Sequence, residues 1–175
     1  ETLAAYKAHV EKMLGFLEPK YLQGLTPQIA AERIVNLESQ LAASHWDVVK
    51  ARDAVATYNP TTLEEMPPLV RTLLGASGLS GKVVNMMPSF TSDLDSMLRR
   101  ETLADWQLWA AWNILRSRAG VLSEEIGEAN FEFYGKKLSG ATEQRDRWKR
   151  GVGLAESLVG EDIGRSYVDK HFPPS

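Results

Sequence analysis

The sequence contains no cysteine, which removes disulfide staples, thiolate metal sites, iron–sulfur clusters and cysteine nucleophiles together. Glycine and proline are in no excess, 13 and 8 of 175 residues, so collagen-like and low-complexity readings fall away. No run approaches the roughly 18 to 20 uninterrupted apolar residues of a membrane span; even the most apolar stretch, 103–115, is broken by Asp105, Gln107 and Asn113. A signal peptide's basic start, apolar middle and small-residue cleavage site are not found at the beginning either. The chain opens on Glu1 instead of Met, and we read it as a piece of a longer polypeptide. Its compartment is left open by the residues, cytoplasmic and exported being equally compatible. Neither charge sign dominates: 20 Lys and Arg face 23 Asp and Glu, a net charge of −3. Nucleic-acid binding driven by counterion release has little to work with on such a chain.

What the chain does have is helical periodicity. Leu3, Tyr6, Val10, Met13, Leu14 and Leu17 recur at helical spacing, predicting a helix over 3–17 with Thr2 as its cap. Thr26 followed by Pro27 marks a second start, and Ala30, Ile34, Leu37 and Leu41 form its apolar stripe. Residues 44–60 read as a connector. Thr61 with Glu64 and Thr62 with Glu65 are two overlapping capping boxes, and Pro67-Pro68 stops or restarts the helix that follows. A short strand is expected at 82–87, without an obvious partner. Thr91 is expected to cap one helix and Thr102 another. The second carries Trp106, Trp109 and Trp112 and reads as central because apolar groups surround it. Ser123 opens a helix reaching Leu138, Thr142 one with Trp148 on its buried side, and Gly160-Glu161 a last one ended by Pro173-Pro174. The fold class is therefore all-α: a single multi-helix lobe over 1–175, with one short strand allowed.

A search for chemistry yields little. His9, His45 and His171 are followed by Val10, Trp46 and Phe172, so none belongs to the His-Glu-x-x-His helix that brings two histidines and a base to one zinc. There is no Gly-x-Ser-x-Gly elbow and no Gly-rich phosphate loop. Glu64/Glu65, Glu124/Glu125 and Glu161/Asp162 sit in first helical turns, where backbone N–H groups favour negative charge. The basic run Arg145, Arg147, Lys149, Arg150 reads as a solvated helix face with Trp148 turned into the core.

The last third carries a resemblance. The run Asn130-Phe131-Glu132-Phe133-Tyr134-Gly135-Lys136-Lys137-Leu138-Ser139-Gly140, then Arg147-Trp148-Lys149-Arg150, then Gly164-Arg165-Ser166-Tyr167-Val168 and Phe172 resembles the neprilysin family of zinc metallopeptidases. Upstream, Arg52-Asp53, Tyr58-Asn59-Pro60-Thr61-Thr62-Leu63 and Leu69 are similar to the same family's segment, as is the opening helix. The absence of cysteine suits a bacterial member. The resemblance implies a two-lobed, mostly helical, zinc-dependent endopeptidase that encloses a cavity and cleaves short peptides, with this chain as the non-catalytic helical lobe that caps the cavity and limits access. It also implies that the zinc-binding helix, the third ligand and the substrate-holding strand lie beyond Ser175. No catalytic, cofactor-binding or metal-binding residue is then expected here. The piece alone should be inactive, with zinc only in the parent, and its partner should be the C-terminal catalytic lobe. Asn130, Phe131, Tyr134, Gly135, Arg147, Trp148, Arg150 and Tyr167 are assigned structural roles, Trp148 packing between helices and the arginines pairing with helix-end carbonyls or acids. The alternative is a free-standing helical module that binds a partner protein.

Overall fold

The computed structural model describes residues 1–172, so the expected Pro173-Pro174 stop lies outside the described residues. The described chain is mostly α-helical with one two-stranded sheet, as its periodicity predicts, and it divides into two compact units: residues 1–18 with 112–172, and residues 19–111.

In the unit of residues 19–111, helix α2 (Pro27–Ser44) starts where the sequence places it. Thr26 accepts a hydrogen bond from the Ile29 N–H at 3.3 Å, and Pro27 occupies a first turn that needs no donor. The connector after α2 is built from two Asx turns. Asp47 accepts from the Val49 and Lys50 N–H groups, and Asp53 from those of Val55 and Ala56.

The expected strand exists but is shorter, β2 (Lys82–Val84), and it is paired. Its antiparallel partner is β1 (Pro60–Thr62), with Pro60 opposite Val84 and Thr62 opposite Lys82. The same threonines end the strand and start the next turn. The Thr62 N–H and the Thr61 hydroxyl both donate to Glu65, at 3.0 and 2.7 Å, so of the two capping boxes the Thr62–Glu65 one forms.

Helix α3 (Pro68–Ala76) packs on α4 (Pro88–Arg100) around buried Leu63, Met66 and Val70, with Leu94 and Leu98 beside them. Helix α4 begins at Pro88, three residues before the expected Thr91 cap. The Thr91 hydroxyl serves instead as acceptor for the Asn85 side-chain amide at 2.9 Å and as donor to the Pro88 carbonyl.

Helix α5 (Leu103–Arg118) is capped by Thr102, whose hydroxyl accepts from the Asp105 N–H at 3.2 Å. It is less central than its composition predicts: Leu108, Trp112 and Leu115 are buried, but Leu103 and Ile114 are exposed.

In the other unit, α1 (Thr2–Leu14) begins with Thr2 inside the helix and Glu1 at the cap position. It packs on α6 (Glu124–Phe131) and on the segment that continues α6, burying His9, Val10, Met13 and Leu14. That continuation, Glu132–Leu138, is wound as a π-helix where the sequence predicts an unbroken α-helix. No helix forms at Thr142. Helix α7 runs over Arg147–His171 and leaves helical geometry once, at Val159 (φ −133°, ψ 30°), beside the Gly160-Glu161 start expected from sequence.

Candidate functional site

The residues singled out in the last third of the sequence gather in one unit, and the π-helix sets their geometry. Such windings are rare and concentrate at functional positions. Here the wide turn presents Phe133 and Tyr134 to α1. His9 stacks on Phe133 (centroids 4.8 Å apart, planes 11° apart) and meets Tyr134 edge-on at 5.3 Å. Trp112 reaches the same imidazole at 5.7 Å, and its indole N–H donates to the Tyr6 hydroxyl at 3.2 Å. Asn130 sits beside this aromatic cluster. The Asn130 Oδ1 and His9 Nε2 atoms are both buried without a hydrogen-bond partner. Burial lowers the pKa of His9 to about 4; proximity of the Asn130 amide opposes that shift, and the Lys12 charge adds to it.

Gly135 is required by a close approach. A Cβ there would collide with the ring of Phe131 one turn earlier, across Cδ2 and Cε2. The Gly135→Ala chain should therefore lose about 1–3 kcal/mol of stability as the ring is driven off, read as a lower urea midpoint. A Phe131→Ala, Gly135→Ala double variant should recover part of that loss.

The two arginines of the family-like run bond to backbone carbonyls. Arg147 donates to the carbonyls of Leu122 (2.7 Å) and Val121 (3.2 Å), and Arg150 to those of Gly120 (2.8 Å) and Arg145. Both thereby fasten the start of α7 to the 3₁₀ turn Ala119–Val121. Trp148 between them does not pack into the core: it is 66% exposed, with Lys149 over its ring at 5.4 Å. The two arginines point one way to reach the turn, and the intervening residue of a helix must face elsewhere. Tyr167 is also exposed, its ring tilted against those of His171, at 4.4 Å, and Phe172, at 6.3 Å.

None of the 25 residues of α7 is buried, although Trp148, Val152, Leu158, Val159, Ile163, Tyr167 and Val168 are large and apolar. The unit of residues 19–111 has an uncovered surface of its own. This is a groove of about 690 Å³ lined by Leu41, Leu73, Phe90, Leu94, Trp106 and Trp109, among others, with His45 tilted against Phe90 at 4.4 Å.

Sequence reading passed over Asp95. Its Oδ1 accepts from the Leu69 N–H (2.6 Å) and the Val70 N–H (3.4 Å), and its Oδ2 from Arg99 at 2.9 Å. A carboxylate on α4 thus caps α3, whose own cap residue, Pro67, has no side-chain oxygen to offer. Burial raises the Asp95 pKa, but the Leu69 N–H, Arg99 and the Val70 N–H together outweigh it and hold the group below the usual carboxylate range. The double proline was the available signal, because a helix that opens without a polar cap needs an acceptor from elsewhere.

A family model, that of the N-terminal part of peptidase family M13, matches residues 1–175. The chain belongs to peptidase family M13. Among solved structures, the open-state cryo-EM structure of the Mycobacterium tuberculosis zinc metalloprotease Zmp1 superposes on this M13 chain with a TM-score of 0.85 at 38% identity, covering 99% of this chain and 28% of that one. Neprilysin-2 of Drosophila melanogaster is 30% identical over 166 residues, 81% of this chain and 21% of its own length. The human membrane metallo-endopeptidase-like 1 is 24% identical over 156 residues, covering 81% and 20% respectively. The M13 chain therefore spans about a fifth of the curated relatives it matches.

The described residues of this M13 chain do not form a zinc site. Among those described, no group of three His, Asp or Glu side chains converges. His9 is buried among rings, His45 lies against Phe90, and His171 is tilted against Tyr167 at the exposed end of α7. No described helix is long and apolar enough to cross a membrane.

Proposed function

We propose that this chain is the non-catalytic helical lobe, residues 1–175, of an M13 zinc endopeptidase that cleaves short peptides. It would act as a lid limiting which substrates reach a cavity whose metal and catalytic groups are supplied by the C-terminal lobe of the same parent. One observation carries the reading: α7 exposes an apolar series from Trp148 to Val168 and buries nothing. Large uncovered apolar surface marks a place where other protein docks, and a lobe cut from its parent would bear such a surface. The match to the family's N-terminal model over residues 1–175 supports the same reading.

The test uses the 175-residue chain itself. It should hold no stoichiometric zinc by elemental analysis, leave a quenched-fluorescent peptide uncleaved, and bind a hydrophobic dye strongly or self-associate. One tight zinc per chain, removable by a chelator with loss of peptide cleavage, would overturn the proposal. A monodisperse chain that binds no dye would instead favour a free-standing helical interaction module.

A further inference from the structure

The aromatic cluster encloses a titratable group that the lid reading does not use. His9 is 5% exposed, and Phe133, Tyr134 and Trp112 close on its ring from three sides. An imidazolium there would need an anion or a set of acceptors, and the surroundings offer one carboxylate already in an ion pair and one neutral amide. On α1, Lys12 lies one turn on and repels it. From the π-helix, the cavity of about 390 Å³ beside His9 receives Lys137 and Glu132, and Glu132 is already paired with Lys136 at 2.5 Å. Tyr134 is held by Arg116 of α5, whose Nη1 donates to the phenolic oxygen at 3.5 Å. Helix α6 contributes Ala129 to the cavity wall and the neutral Asn130 amide. Asn130 Oδ1, buried without a hydrogen bond, is an acceptor beside the ring and favours the charged form, but burial outweighs it.

We propose that His9 is an acid-release latch: neutral, it holds α1 against the π-helix, and on gaining a proton it loosens that contact. The sign follows from linkage. Burial depresses the folded-state pKa from 6.5 to about 4, so the unfolded or opened form takes up the proton first. The latch is intact at neutral pH, weakens as pH falls below about 6.5, and is spent near 4. Cation–π attraction from the surrounding rings offsets only part of the cost of burying the charge.

The experiment follows the His9 ring by NMR and the α1 amides by hydrogen exchange on the 175-residue chain, from pH 7.5 to 4. His9 should titrate near 4, well below the ordinary imidazole value of 6.5. After correction for intrinsic exchange, the opening equilibrium of α1 should rise about 50-fold between pH 7 and 4.5. In His9→Phe, which keeps a ring and loses the proton site, that rise should shrink to a few-fold. Titration of His9 at or above the ordinary imidazole value of 6.5 in the unaltered chain would overturn the proposal without recourse to a variant. So would an equal acid response of α1 in the folded His9→Phe chain.

Discussion

Trp112→Ala should lower the free energy of unfolding by about 3–5 kcal/mol, the usual cost of deleting a fully enclosed large aromatic. Trp112 is 0% exposed and has the largest fully buried side chain of the chain. Its removal opens a void against the His9 ring and also strips the Tyr6 hydroxyl of its donor at 3.2 Å. The two effects separate in Trp112→Phe, which keeps most of the ring volume and loses the hydrogen bond. That variant should cost about 1–2 kcal/mol. Urea unfolding followed by circular dichroism measures both. A Trp112→Ala loss below 1 kcal/mol would mean that the side chain is not enclosed as described.

Asp95→Ala should have the largest effect in the other unit. It removes the acceptor of the two N–H groups at the start of α3 and the partner of Arg99 in one step. A melting temperature lower by roughly 5–10 °C is expected, with Asp95→Asn recovering part of it because an amide oxygen still accepts. The folded-state pKa of this carboxyl lies below its ordinary value. Its contribution is therefore present at neutral pH and disappears as pH falls through the folded-state pKa. The melting temperature of Asp95→Ala should accordingly fall less steeply below pH 4 than that of the unaltered chain.

These sites show where sequence reading succeeds and where it stops. Thr26-Pro27 was legible to the residue because the cap and the missing donor both lie in the local sequence. Ser123 was legible for the same reason, its oxygen accepting from Ile126 N–H at 3.4 Å. Thr91 does not cap because its hydroxyl is claimed by Asn85, and no helix starts at Thr142 because the residues after it are spent on other bonds: Gln144 donates to the Gly127 carbonyl, and the Arg145 carbonyl accepts from Arg150. The partner of β2 went unseen because three residues carry too little alternation to read as a strand. The π winding was hidden because apolar spacing over two turns does not separate it from an α-helix. Gly135 was visible as a residue, but its contact with Phe131 was not. The family resemblance drew attention to 130–140, and the structure places Asn130, Phe133 and Tyr134 around His9.

Helix α7 is clasped at its first turn by two arginines and interrupted at Val159. A rod broken at mid-length transmits torque poorly. Arg147 and Arg150 lie on the near side of that joint and Tyr167 on the far side, so a bend at Val159 would swing Tyr167 while leaving the bonds to Gly120, Val121 and Leu122 in place.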